Sequence, residues 1–243
     1  MIRALHVALS FLTTLPLPAI RNWQEDDARR AVLAYPLVGL ILGGLLYAGA
    51  LLLTPLPDAL RGALLLGLSL LLTGALHFDG FCDMADAAFA AKPPGVRQEI
   101  AKDPHLGAFA LAAGGVLLLV KSAALGTLAH PALLLVVPLL SRTAVLLPLA
   151  LYEVHGSSHL GATTQPSRLE VLAPLLLGLG LSIILTLLLS PPTVLSTLLI
   201  GAFGPSLLLA HWLNIRLGGL SGDAYGACIE TSEAALLILA ATL

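Results

Sequence analysis

The chain has 243 residues, of which 58% are hydrophobic and 11% charged, and its net charge is −2. A soluble domain carries roughly 25% charged residues, so this composition, with a mean hydropathy of +0.96, excludes a water-soluble fold and points to a polytopic membrane protein. The balanced charge excludes a nucleic-acid binder, and two cysteines, Cys82 and Cys228, make neither a disulfide framework nor a structural zinc site.

The first eighteen residues begin like a secretory signal, with Arg3 followed by an apolar stretch and small residues near Ala19. However, Arg3, His6, Ser10 and Thr13 recur at helical spacing, and Pro16 and Pro18 end the segment. The pattern predicts an amphipathic helix lying in the membrane interface. A bilayer core of about 30 Å needs about 20 mostly apolar residues per helix. Seven windows meet that length: 31–54, 62–78, 107–129, 131–152, 171–190, 193–213 and 224–243. Breakers separate them, among them Pro55, Pro57, Pro131, Pro191, Pro192, Gly218 and Gly219. Only the connections 79–106 and 153–170 are long and polar. The expected fold is all-α: a polytopic membrane helix bundle of about seven transmembrane helices plus an N-terminal interfacial amphipathic helix, with residues 1–243 forming a single domain.

With these spans, Arg3, Arg21, Arg29, Arg30, Lys92, Arg97, Lys102, Arg168 and Arg216 fall on one side, and only Arg61 on the other. The basic side is expected to be cytoplasmic. Nearly every polar cluster falls on the same side, so the chemistry is expected there, with the lipid bilayer as the chain's surroundings.

The most informative stretch is GALHFDGFCDMADAAFA, residues 74–90. Asp79, Asp83 and Asp86 stand at i, i+4 and i+7, within about 20–40° of one another around a helix. Three carboxylates on one face repel, and burying them near a bilayer is costly. A divalent cation relieves both, and an all-oxygen set suits Mg²⁺ or Mn²⁺ with phosphate completing the shell. The bland alternative is a solvated helix end, although such a face usually mixes in basic residues and this stretch has none.

The KDPHLGAFA stretch at 102–110 offers Lys102 and His105, with Arg97 nearby, as phosphate holders. Asp103–Pro104 also reads as a helix start, Asp as N-cap and Pro at the first position. A second acidic group, in GGLSGDAYGACIETSE at 218–233, places Asp223 and Glu230 on one helical face with Glu233 one turn further. Intramembrane carboxylates normally face the bundle interior. Glu230 is therefore either a site residue or an ion-pair partner of Arg142 or Lys121, both of which lie inside apolar spans. His77 falls on another face of its helix from the aspartates. His6, His130, His155, His159 and His211 have no ligand-like spacing.

In order and spacing, TTLPLP at 13–18, YPLVGLILG at 35–43, GALHFDGFCDMADA at 74–87, KDPHLGAFA at 102–110, SR at 141–142 and GGLSGDAYGA at 218–227 resemble the cobalamin synthase family, the adenosylcobinamide-GDP ribazoletransferases. The resemblance implies that α-ribazole, or its 5′-phosphate, attacks adenosylcobinamide-GDP and displaces GMP, with Mg²⁺ as cofactor. It further implies an enzyme of a prokaryotic cytoplasmic (inner) membrane. By resemblance plus geometry, Asp79, Asp83, Asp86, Asp223 and Glu230 are the expected metal and catalytic residues. Lys102, His105 and Arg142 are the expected phosphate contacts. Docking to other membrane-associated enzymes of the B12 pathway is a hypothesis that would explain a membrane enzyme acting on soluble substrates.

The sequence departs from the family pattern at Ala87, where Gly is usual, and at Ser221, where Thr is usual. The 153–167 loop has no basic residue before Arg168, which weakens a phosphate contact from that loop. Three rivals fit less well. A CDP-alcohol phosphotransferase needs Ala-Arg after its Asp-Gly, where Phe81 and Cys82 stand here. A membrane prenyltransferase reverses the aspartate gaps, and a transporter would use Arg142 and Glu230 as an ion path.

Overall fold

The computed structural model describes residues 2–24, 26–154 and 166–243. Residues 155–165, which hold His155, His159 and most of the loop expected to lack a phosphate contact, lie outside them. Twelve α-helices occur among the described residues: α1 (Ile2–Leu12), α2 (Asp26–Ala31), α3 (Tyr35–Leu52), α4 (Asp58–Thr73), α5 (Leu76–Phe89), α6 (Pro94–Ile100), α7 (Ala108–Gly126), α8 (Val137–Ala144), α9 (Leu146–Leu151), α10 (Arg168–Leu189), α11 (Thr193–Leu217) and α12 (Gly222–Ala241). Their only β pairing is an isolated parallel bridge between Val154 and Leu220.

Six helical segments are long and apolar enough to cross a membrane, and the α4–α5 pair makes a seventh if counted as one span. The chain is a multi-pass, all-α membrane protein. Its centre is formed by the 131–151 segment and α12, whose apolar windows are 83% and 72% buried, against 28% for α10 and 33% for α7 and α11. The outer helices turn leucine and isoleucine outward, as at Leu119, Leu188, Ile200 and Leu208. That is the expected surface when lipid replaces water as solvent.

Two expected spans are not straight. The 131–152 window divides into a 3₁₀ turn at Pro131–Leu135, then α8 and α9. Pro138 and Pro148 supply no N–H to the carbonyls four residues earlier, so the α-helix cannot run through. The second window, expected to continue to residue 78, stops at Thr73, and α5 leaves at 93° to α4. Gly74 (φ 59°) and Ala75 (φ 55°) are both left-handed. The Ala75 N–H closes back onto the Leu70 carbonyl at 2.9 Å, a Schellman-type ending. Thr14 buttresses the corner from the segment after α1, its N–H reaching the Leu72 carbonyl at 2.9 Å and its hydroxyl the Leu71 carbonyl at 2.6 Å. Those bonds satisfy carbonyls that the broken helix leaves open.

The N-terminal helix α1 is present, and its apolar side is covered by protein. Val7, Ala8 and Leu12 pack on Ala31, Ala34, Val38 and Leu42, while Arg3 holds Asp27 through two bonds of 2.8 and 2.6 Å.

Four of the basic residues assigned to one side make contacts at helix ends. Arg29 reaches Glu170 at 3.3 Å, Arg168 the Ala150 carbonyl at 3.2 Å, Arg97 the Arg216 carbonyl at 3.2 Å, and Arg216 the Ala88 carbonyl at 3.1 Å. Arg61, assigned to the other side, pairs with Asp58 at 2.9 Å and donates to the Gly126 carbonyl.

The corner makes a direct prediction. A left-handed residue with a Cβ costs about 1 kcal/mol or more. Ala75→Gly should therefore stabilise the protein by about 1 kcal/mol, and Gly74→Ala should destabilise it by a similar amount. Thermal unfolding in detergent measures both, and equal midpoints for the two variants would contradict the left-handed corner.

Candidate functional site

Because the corner turns α5 through a right angle, its aspartates do not continue down a membrane span. The helix instead runs from the start of α12 to the start of α7. At α12 two backbones nearly touch. A Cβ on Gly80 would stand 2.8 Å from the Asp223 Cα, and one on Gly226 would stand 3.3 Å from the His77 Cα. The pairs 77/80 and 223/226 thus interlock as neighbouring helical turns, and only glycine permits so close an approach.

The interlock sets Asp223, at the first turn of α12, beside the acidic face of α5. Asp83 is half-buried and lies within electrostatic range of Asp79, Asp223 and Asp86, while Asp79 and Asp223 are exposed. Among the described residues no salt bridge reaches Asp79, Asp83 or Asp223. This is a concentration of negative charge with no cation paired to it among the described residues. The donor set, carboxylate oxygens without an interposed base, fits a hard divalent cation. The side chains do not close a shell by themselves: among the described residues no three His, Cys, Asp or Glu converge as a metal site. Other ligands would have to come from a substrate.

Asp86, expected as the third member of the face, has a different job. Its two carboxylate oxygens accept the Gly107 N–H at 2.7 Å and the Ala110 N–H at 3.0 Å. A carboxylate on α5 thus caps the N-terminus of α7, satisfying orphan donors and opposing the helix dipole. The expectation that Asp103–Pro104 starts this helix is corrected, because α7 begins at Ala108 with Gly107 at the cap position. Asp103 turns back on His105 instead, accepting its backbone N–H at 3.0 Å and contacting its ring at 2.6 Å. Those bonds hold the Asp103 carboxyl below the usual carboxylate range. His105 and Lys102 are exposed on this connection, whereas Arg97 is buried with its guanidinium on α11.

Glu230 and Arg142 do not join the aspartates. Lys121 of α7 donates to Glu230 at 2.7 Å and to Glu233 at 3.0 Å. Arg142 of α8 pairs with Glu233, donates to Ser141 Oγ at 3.0 Å and faces His77 Nδ1 at 3.5 Å. All five side chains of this network are at most 5% exposed. The ion-pair alternative for Glu230 is the arrangement found, with Lys121 as the partner, and Arg142 takes Glu233. The structure thus places the five residues expected at a metal in three settings: Asp79, Asp83 and Asp223 lie within electrostatic range of one another, Asp86 caps α7, and Glu230 pairs with Lys121 in a buried ion network. Arg142, expected at a substrate phosphate, is buried in that network too.

Sequence reasoning missed an aromatic cluster at the same end. Phe89 stacks on Phe109 at 5.6 Å and meets Trp212 at 5.4 Å, with the Arg216 guanidinium 5.7 Å from the Trp212 ring. No short motif carries it, because its members come from three helices.

Comparison with known proteins bears on this site. The profile of the cobalamin-5-phosphate synthase family matches residues 4–241. A protein named adenosylcobinamide-GDP ribazoletransferase from Deinococcus radiodurans is 43% identical over 238 residues, covering 98% of this chain and 84% of that protein. Proteins of the same name from Desulfitobacterium hafniense and Pseudomonas paraeruginosa are 37% and 40% identical, covering 97% and 98% of this chain and 95% and 97% of their own lengths. No solved structure matches.

The capping role of Asp86 is separable from metal holding. Asp86→Ala should destabilise the protein by about 1–2 kcal/mol, and Asp86→Asn, which keeps one acceptor oxygen, by clearly less. An unchanged unfolding midpoint for Asp86→Ala would remove the cap.

Proposed function

The chain belongs to the cobalamin-5-phosphate synthase family, and from that premise we propose that it joins α-ribazole, or its 5′-phosphate, to adenosylcobinamide-GDP at the acidic end of its helix bundle. The observation that carries the siting is that Asp79, Asp83 and Asp223 lie within electrostatic range of one another, with no salt bridge to any of them among the described residues. A pyrophosphate and three carboxylates repel each other strongly at short range, so the two can meet only with cations between them. Mg²⁺ fits the oxygen donors, and when bound it would neutralise the charge that builds on the departing phosphate.

The reaction exchanges one P–O bond for another. The ribazole hydroxyl oxygen bonds to the cobinamide-side phosphorus, the pyrophosphate P–O bond breaks, GMP leaves, and the hydroxyl proton passes to base or solvent. Asp79, Asp83 and Asp223 would hold Mg²⁺ against the pyrophosphate. Half-buried Asp83 lies within electrostatic range of both of the others. Lys102 and His105, exposed on the connection into α7, would meet substrate phosphate as it arrives. The basic bias, nine residues at this end against Arg61 at the other, supports a cytoplasmic orientation in a prokaryotic inner membrane. Docking of other membrane-associated enzymes of the pathway at this face is compatible with that orientation.

Purified protein in liposomes, given α-ribazole, adenosylcobinamide-GDP and Mg²⁺, should release GMP, and chelation should stop it. Folded protein without turnover would reject the transferase reading. Asp83→Asn should lower kcat by about 10²-fold or more while membrane insertion is unchanged; a near-parental rate would remove the carboxylate from the site. Cysteines placed at 79 and 58 report orientation. An impermeant reagent added outside intact cells should label 58 and spare 79.

A further inference from the structure

Asp79 and Asp83 approach Asp223 only if α5 keeps its register against α12, and no covalent link fixes that register. The corner at Gly74–Ala75 sets the direction of α5 and leaves open how far it lies along α12. Three non-covalent joints close a triangle of helices. Asp86 ties α5 to the start of α7. About 20 Å further along α7, at 1.5 Å per residue, Lys121 ties it to Glu230 and Glu233 of α12. The third joint is His77, whose backbone rests on Gly226 of α12 and whose ring faces Arg142, itself paired with Glu233.

We propose that the buried network of His77, Lys121, Arg142, Glu230 and Glu233 positions the acidic site, with Arg142 as its central positioning residue, by fixing the register of α5 on α12. Stability alone is a poor reason for such a network. Buried ion pairs are often matched or bettered by apolar side chains of similar volume, and the surrounding core is mostly leucine and alanine. Moreover, His77 Nε2 and Arg142 Nε are buried without a protein partner among the described residues, so the arrangement carries a desolvation cost. What charge supplies and leucine does not is direction. Arg142 addresses Ser141 on its own helix, Glu233 on α12 and His77 on α5 at once, in the fixed plane of one guanidinium. Glu230 and Glu233 lie two and three turns beyond Asp223 on the same helix, so a shift of α12 at the network is a shift at the site.

The proposal rests on the transferase reading, and its test separates the two. In the charge-neutral variant Lys121→Met/Arg142→Met/Glu230→Leu/Glu233→Leu, kcat for GMP release should fall by about 10²-fold, with KM within about threefold. A second readout needs no activity. With Cys82→Ala and Cys228→Ala, a pair made by Asp79→Cys and Asp223→Cys should cross-link readily through a short bismaleimide, and adding the four network changes should cut the yield at least about fivefold. A folded network variant with kcat within about threefold of the parent, or with an unchanged cross-linking yield, would overturn the proposal. If the parent releases no GMP, the transferase reading falls while the cross-link still decides the register. If the four-fold variant fails to fold, Arg142→Lys takes its place. Lysine keeps the charge and loses the planar fork, so cross-linking should still drop, and parental cross-linking in that variant would overturn the proposal as well.

Discussion

Inside a bilayer a charge must find an opposite charge or be driven to the surface, and that constraint organises this bundle from the inside out. Lys121, Arg142, Glu230 and Glu233 sit in the interior with two cations matched to two carboxylates. Satisfying them requires α7, α8 and α12 to meet at one depth, and His77 adds α5. The broken 131–151 segment belongs at the centre for the same reason, since it brings Arg142 to the carboxylates. The unbroken helices α10 and α11, only 28% and 33% buried, lie outside, where lipid asks only for hydrocarbon.

The acidic end follows the opposite rule. Among the described residues Asp79, Asp83 and Asp223 have no salt-bridge partner, because α5 turns out of the span direction before its first aspartate. A single corner with two left-handed residues separates an interior set of charges that is neutral from a local cluster of carboxylates on α5 and the first turn of α12. The first holds helices together. The second, on the function proposed above, would take charge from outside, as phosphate transfer requires.

Much of this was legible in the chain. Apolar windows of bilayer length announced the spans. The i, i+4, i+7 spacing placed three aspartates on one face, and the helix bears that spacing out. What spacing could not reveal was tertiary demand on that face. Asp86 is drawn to backbone N–H groups at 107 and 110, whose need for an acceptor depends on where α7 starts. Likewise Glu230 and Lys121 are separated by 109 positions, and each has more than one plausible partner in a linear reading. The corner had a sequence signal in Gly74, which suits a helix C-terminus. The hydrophobic window ran over it because Ala75, Leu76 and Phe78 continue the apolar pattern while the backbone does not.

The length of α4 has a consequence for where substrates meet this protein. Its 16 residues rise about 24 Å at 1.5 Å per residue, short of the roughly 30 Å of bilayer hydrocarbon. A span that is too short is met by thinning of the lipid around it or by drawing polar flanks inward. If α4 alone carries the chain across, the acidic helix that begins at its end would lie at headgroup depth. A water-soluble, phosphate-bearing substrate reaching that depth would pass lipid phosphates of its own charge, and the arginines and lysines that the sequence assigns to this side would favour its approach.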